Sequence, residues 1–334
     1  MNYVTEDEIK QLRIKTNQQS VKTTKDALEQ EAKLRKDQGL ELELPNDLDY
    51  LEWNDQLELI RFYEGKIVDY CRYFSFDKTV QSTSIVFFKR FFLHRSVMDY
   101  LPASILVTCL FLSTKVENVS VTLEEFLSKI PKSPPSNLMV ELELEVSNAI
   151  DFEYLVHHPY WALHGFLLDL QTHISQLNSD ASRQAELKRK LFQAYQASVD
   201  LVVGSYHTCD VCLMFPPSQI ALAAFQEVAA KDASLSQTFV SFAADRFQNE
   251  PLEKIEWLQA RLTAIRTALR KASTVAVDKK RAIEIAAKLQ KTRNPMFDPE
   301  SLVFKLNAKN QEEERLRKKK MKAEQEMKNR KNVF

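Results

Sequence analysis

Glycine is scarce in this chain. Four glycines stand singly at Gly39, Gly65, Gly165 and Gly204 among 334 residues. Loops that cradle phosphate need clustered glycines, so that backbone N–H groups can approach the anion. None is present, which excludes P-loop and dinucleotide-binding folds. Cysteine is also sparse, at Cys71, Cys109, Cys209 and Cys212, too few to staple a chain of this size with disulfides. Net charge is absent altogether, 46 basic residues balancing 46 acidic ones, so no global field draws the protein to nucleic acid or anionic lipid. Long apolar runs are missing too. The longest, Ile105 to Leu112, is interrupted by Thr108 and falls far short of the roughly 20 residues of a membrane span. The stretch MNYVTEDEIK has no apolar core of the signal-peptide kind. These absences describe a soluble protein of a reducing compartment. No Asn-Gly or Asp-Gly hairpin dipeptide occurs, which weakens any β reading.

What the chain does have is helical periodicity. Ile85, Phe88 and Phe92 recur at i, i+3 and i+7 with Phe91 beside them; Leu163, Phe166, Leu167 and Leu170 repeat the pattern, as do Ile255, Leu258 and Leu262. Such stripes mark amphipathic helices with one face in a core. One segment reads differently. LMVELELEV, Leu138 to Val146, alternates with the period of a strand. Leu and Glu are strong helix formers, Asn137 is a candidate cap, and Leu142, Val146, Ala149 and Ile150 continue a helical stripe, so a helix is expected here too. In the polar region 1–50, Thr5 and Glu8 have the spacing of a capping box. The middle of the chain contains a duplication: Pro102, Ser104, Leu106 and Phe111 are matched 114 residues later by Pro216, Ser218, Ile220 and Phe225. Each proline marks a helix start, where its missing N–H is harmless, and HHPY (His157 to Tyr160) separates the copies. The expected fold is all-α, with two tandem helical modules joined by a short linker and flanked by further helices. The expected divisions are 1–50, 51–156, 157–272 and 273–334. The last of these holds the basic cluster RLRKKKMK, Arg315 to Lys322, read either as an import signal or as a solvated tail.

Chemistry-bearing motifs are few. Cys209 and Cys212 form a lone C-x-x-C with His207 nearby, but two further zinc ligands are missing and no strand–loop–helix redox setting surrounds the pair. They read as small buried hydrophobes. His157 and His158 lack a nucleophile or carboxylate in a recognisable arrangement and read as structural, with an imidazole bonded to backbone. No catalytic residue and no metal ligand is assigned. Lys115, ending the apolar run SILVTCLFLSTK, complements a helix C-terminus. Periodicity alone does not single it out from other surface cations, nor Glu143 from its neighbouring glutamates.

Three ordered segments do so by resemblance: FFKRFFLHRSVMDYLPASILVTCLFLSTKVEN (Phe87 to Asn118), IDFEYLVHHPYWALHGFLLDL (Ile150 to Leu170) and MFPPSQIALAA (Met214 to Ala224). The first resembles the signature of the cyclin box, in particular its H-type form, and the others are similar to that type in the same order, over roughly residues 50–270. The resemblance implies two five-helix repeats and a regulatory, non-catalytic role without a cofactor. It further implies contact with a kinase through the first repeat, by a lysine ending the third helix and a glutamate in the fifth. Lys115 lies in the F-L-x-x-K-V-[DE] pattern. Glu143 precedes Phe152 by the family's nine residues, and Phe152 and Tyr154 are further interface candidates. Ala229 occupies the position of Lys115 in the second repeat. The helix LELIRFYEGKIVDY lacks the M-R-A-I-L substrate-docking patch, and neither Arg13 nor Arg35 begins an R-x-x-L destruction box, which fits a constitutive transcriptional cyclin. The implied partners are a cyclin-dependent kinase catalytic subunit, a RING-finger assembly factor and, through the complex, the core of general transcription factor IIH. The implied location is the nucleus, with no direct nucleic-acid or membrane partner. Two alternatives stay open at this level: a C-type transcriptional cyclin, and a nucleic-acid-binding cyclin-fold factor of the transcription factor IIB type. Zero net charge and the want of a zinc ribbon weigh against the second.

Overall fold

The computed structural model describes residues 3–40, 48–131, 133–177, 180–275 and 278–331, with side chains as far as Met321 except Gln311. The end of the basic cluster, at Lys322, therefore lies outside the described side chains. Among the described residues there are fourteen α-helices and no strand.

The first repeat comprises α2 (Trp53–Phe74), α3 (Lys78–His94), α4 (Pro102–Val116), α5 (Leu123–Ser128) and α6 (Ser136–Ala149). Its centre is α4, because PASILVTCLFLST carries no charge and can be enclosed on every side; Ile105 through Thr114 are all buried. Around it pack α2, α3 and α6, with Ile85, Phe88, Phe91 and Phe92 buried as their spacing requires. The second repeat comprises α7 (Pro159–Leu177), α8 (Ala181–Ser205), a single-turn α9 (Val211–Met214), α10 (Pro217–Ala229), α11 (Ala233–Arg246) and α12 (Leu252–Thr274). Here α10 takes the central place against α7, α8 and α12. The duplicated motif thus marks the two central helices. The start differs by one residue, since Pro102 opens α4 whereas Pro217, not Pro216, opens α10.

The flanking helices both return to the first repeat. α1 (Glu6–Asp37) begins with the capping box expected at Thr5 and Glu8 and lies against α3. α13 (Lys279–Lys291) packs on α2. After a 3-10 turn at Pro295–Phe297, α14 (Leu302–Lys331) starts where Glu31 of α1 accepts the Val303 and Leu302 N–H groups at 2.9 and 3.2 Å. These are the free donors that any helix start must satisfy.

Residues 138–146 are helical, as expected, but the cap is not Asn137: α6 begins at Ser136 after Pro135, with no side-chain capping bond. The strand-like alternation has a helical explanation. Met139, Leu142 and Val146 face the core, whereas Val140 and Leu144 are more than half exposed on the opposite side.

Scarcity of glycine has a structural consequence. Helices commonly end on a left-handed residue, usually glycine. In the first repeat α2 ends on Ser75 (φ 55°), α4 is followed by Asn118 (φ 58°), and α6 is followed by Asp151 and Phe152 (both φ 55°). Two consecutive L-residues in this region, one a bulky aromatic, are uncommon.

Candidate functional site

Lys115 sits in the last turn of α4 and Glu143 midway along α6, and the packing of these helices brings them together. The Lys115 ammonium donates to Glu143 Oε1 at 2.6 Å and Oε2 at 2.8 Å. It also lies 4.6 Å from the centroid of the Phe111 ring, within range of a cation–π attraction. The two side chains are 48% and 26% exposed. A pair this exposed contributes about 0–1 kcal/mol to stability, so the fold does not depend on it. Its effect is to hold two charged groups rigidly at the surface, with donor and acceptor capacity left over. Val140 and Leu144, three residues before and one after Glu143, surround it with exposed apolar surface. Sequence reading overlooked these two. Their signal was the alternation itself, which puts leucine on both faces of a helix.

Phe152 and Tyr154 lie at the start of the segment joining the repeats. Phe152 is 54% exposed and its ring stands edge-on to that of Tyr154, centroids 6.3 Å apart. Tyr154 is half-buried and meets Phe87 of α3 edge-on at 6.5 Å. The connecting segment is laid antiparallel along α3. Arg90 binds it at Ile150 and Glu153, Thr83 bonds His158 at 2.9 Å, and Ser82 bonds the Tyr160 hydroxyl at 2.6 Å. His158 is therefore structural, as expected, but its partner is the Thr83 side chain rather than backbone. Burial, opposed by Glu117, lowers the pKa of its imidazole.

A buried ionic cluster holds the repeats together beneath this surface. Lys89 of α3 donates to Glu64 of α2 at 2.9 Å and to Asp210, at the N-terminus of α9, at 3.1 Å; Arg13 of α1 donates to Asp210 at 2.9 Å. Burial pushes the Glu64 carboxyl up to about 7 against the opposing pull of Lys89. At Asp210 burial is outweighed by Lys89 and Arg13, which hold the carboxyl well below the usual range. Cys212 packs beside this cluster; burial raises the thiol far above its ordinary value. Cys209 is half-buried, and burial raises its thiol to about 11. Among the described residues no group of three His, Cys, Asp or Glu side chains has metal-binding geometry. No described helix is long and apolar enough to cross a membrane.

Fold and surface together define a tandem helical-repeat protein that carries a preformed ion pair, framed by apolar side chains, on its first repeat. The same architecture is found by comparison. A family model described as cyclin, N-terminal domain, matches residues 27–154, and one described as cyclin C-terminal domain matches residues 158–275. The chain belongs to the cyclin family. It is similar to cyclin-H of Xenopus laevis, 32% identical over 188 residues, which are 54% of each protein. It is also similar to cyclin mcs2 of Schizosaccharomyces pombe, 27% identical over 310 residues, covering 92% of this chain and 87% of that one. Against several of these relatives, the frog protein included, the match spans about half of the relative's length or less. Among solved structures, the fold is like that of a chain in the CAK complex of Chaetomium thermophilum bound to ATP-gamma-S. That chain is 22% identical with a TM-score of 0.72, over 93% of this chain and 90% of that one. A chain of the yeast TFIIK (Kin28/Ccl1/Tfb3) complex is 24% identical, TM-score 0.57, over 80% and 96%.

Proposed function

We propose that this cyclin is the regulatory subunit of the cyclin-dependent kinase of general transcription factor IIH. In this role it activates phosphorylation of the RNA polymerase II C-terminal repeats and, as a CDK-activating kinase, of other kinases. The chemistry is the partner's; this chain supplies a docking surface. The observation that carries the reading is the Lys115–Glu143 pair, held at 2.6 Å on α4 and α6 of the first repeat and flanked by exposed Val140, Leu144 and Phe152. Similarity to cyclin-H relatives supports the choice of kinase.

The mechanism follows from selective binding. A protein kinase is active when the glutamate of its C-helix pairs with the lysine that positions ATP. A subunit that binds this arrangement more tightly than the displaced one raises its population. Moving the balance from 1:99 to 99:1 takes a differential of about 5.5 kcal/mol. Lys115 and Glu143 bond kinase backbone beside that helix, while Val140, Leu144, Phe152 and Tyr154 contribute apolar contact. An obligate interface of this kind exceeds about 2,000 Å². Residues 51–156 form the kinase-binding repeat and 157–272 the second repeat, flanked by 1–50 and 273–334. The RING-finger assembly factor and the core of transcription factor IIH complete the assembly in the nucleus.

The test is reconstitution with a purified Kin28-type kinase, assayed on heptad-repeat peptide. Lys115→Ala with Glu143→Ala is expected to keep the helical spectrum and abolish activation, since truncating desolvated charged groups costs about 2–5 kcal/mol of binding. Unchanged activation by the double variant overturns the assignment of these residues.

A further inference from the structure

We infer that Arg90 is a positioning residue for the kinase-docking surface, holding the chain reversal after α6 in the conformation that turns Phe152 outward. The inference rests on the docking reading above. Arg90 is 14% exposed and lies on α3, a different helix from the residues it controls. Its guanidinium donates through Nη1 to the Glu153 carbonyl at 3.0 Å, and through Nη2 to the Ile150 carbonyl at 3.2 Å and to Glu153 Oε2 at 2.8 Å. Three acceptors on both sides of the reversal are thus gripped by one planar group.

The reversal needs such a grip. The helix is closed by the Phe152 N–H bonding back to the Ser147 carbonyl at 2.8 Å, which places Asp151 and Phe152 in succession at φ 55°. Neither is glycine, and each L-residue there is strained relative to an extended path. A linker that merely had to join two repeats has cheaper conformations available. This one leaves the Phe152 ring 54% exposed, edge-on to Tyr154, in the sequence position that follows the Glu143 helix. Strain held by an external clamp and spent on presenting an apolar side chain is the signature of a recognition feature.

The clamp lies chiefly in the two carbonyl bonds. Glu153 is 51% exposed, so its ion pair with Arg90 contributes little by itself. Lysine cannot replace the arginine, because a point ammonium does not span two carbonyls and a carboxylate as a planar fork does.

The experiment is a mutant cycle read by calorimetric affinity for a purified Kin28-type kinase, alongside thermal melting of the free cyclin. Arg90→Met is expected to weaken binding about tenfold, and Phe152→Ala by a similar factor; the double variant should be no more than about twofold weaker than Phe152→Ala alone, because residues acting through one another are not additive. Asp151→Gly added to Arg90→Met is expected to recover several-fold of the loss, since glycine takes positive φ without strain. If Arg90→Met does not fold, Arg90→Lys carries the same cycle. Multiplicative losses in the double variant, no rescue by Asp151→Gly, or unaltered affinity for Arg90→Met overturns the inference. If Lys115→Ala/Glu143→Ala loses binding while Arg90→Met keeps it, this inference alone falls. If the Lys115/Glu143 variant binds as wild type, the docking reading falls and takes this one with it.

Discussion

The two repeats solve the same packing problem with opposite electrostatics. In the first, the third helix supplies the base and the fifth the acid: Lys115 meets Glu143 one to one, partly in solvent. In the second, the central helix α10 supplies the acid and α12 supplies two bases. Glu227 of α10 is 13% exposed and bonded by Arg266 at 2.9 Å and Arg270 at 2.5 Å from α12. At the position of Lys115 stands Ala229, buried at the end of α10. In the second pair both carboxylate oxygens are occupied by arginines. The first is a preformed contact with capacity to spare. Both repeats carry an ion pair between these helices, at different positions, and the proposed docking role falls to the first alone.

The largest expected effect lies where the repeats are joined. Lys89→Met leaves Glu64 and Asp210 as buried carboxylates without their shared cation. Removing one partner of a buried pair is expected to cost about 3–5 kcal/mol, read as a large fall in melting temperature. A loss below about 1 kcal/mol would mean that the cluster is solvated and clasps nothing. Replacing Lys115 and Glu143, by contrast, should shift stability by no more than about 1 kcal/mol while removing activation.

Next in size, Leu144→Ala is expected to weaken kinase binding by about 1–2 kcal/mol, as truncation of an apolar side chain at an interface does, with melting unaltered because the side chain is already exposed. A lowered melting temperature with unchanged affinity would place Leu144 outside the interface. A further expectation concerns pH. Glu64 has its folded pKa raised from 4.5 to about 7. Between those values the native state holds the proton more tightly than the unfolded chain, so this group's contribution to stability declines as pH rises through that window. Glu64→Gln should flatten that decline in melts recorded from pH 4.5 to 7. An unchanged slope assigns it to other groups.

How much of this was legible in the sequence depends on the range of the interaction. The capping box at Thr5 and Glu8 involves residues three apart and was readable directly. So were the stripes of α3 and α7, since core faces follow helical spacing. The central helices announced themselves by thirteen uncharged residues after Leu101 and by their repetition. Local chemistry misled at Asn137, because the preceding Pro135 already sets an extended entry to α6. Lys115 and Glu143 were legible only through the family pattern. They are 28 residues apart, and no periodicity relates them. Arg90 and the cluster of Arg13, Glu64, Lys89 and Asp210 left no trace, for the same reason more strongly: Lys89 and Asp210 are 121 residues apart, and only the folded repeats make them neighbours. The return of α13 to the first repeat, fixed by contacts such as Arg281 to Asp55 at 2.7 Å, and of α14 to α1 was equally invisible.

The most direct test sets the two ion pairs against each other. Affinity for a Kin28-type kinase would be measured by calorimetry for Lys115→Ala/Glu143→Ala and for Glu227→Gln. The first variant is expected to lose binding by about 2–5 kcal/mol at nearly unchanged melting temperature, and the second to melt earlier but bind as wild type. Equal loss of affinity in both, or loss in Glu227→Gln alone, would contradict the docking role of the first pair.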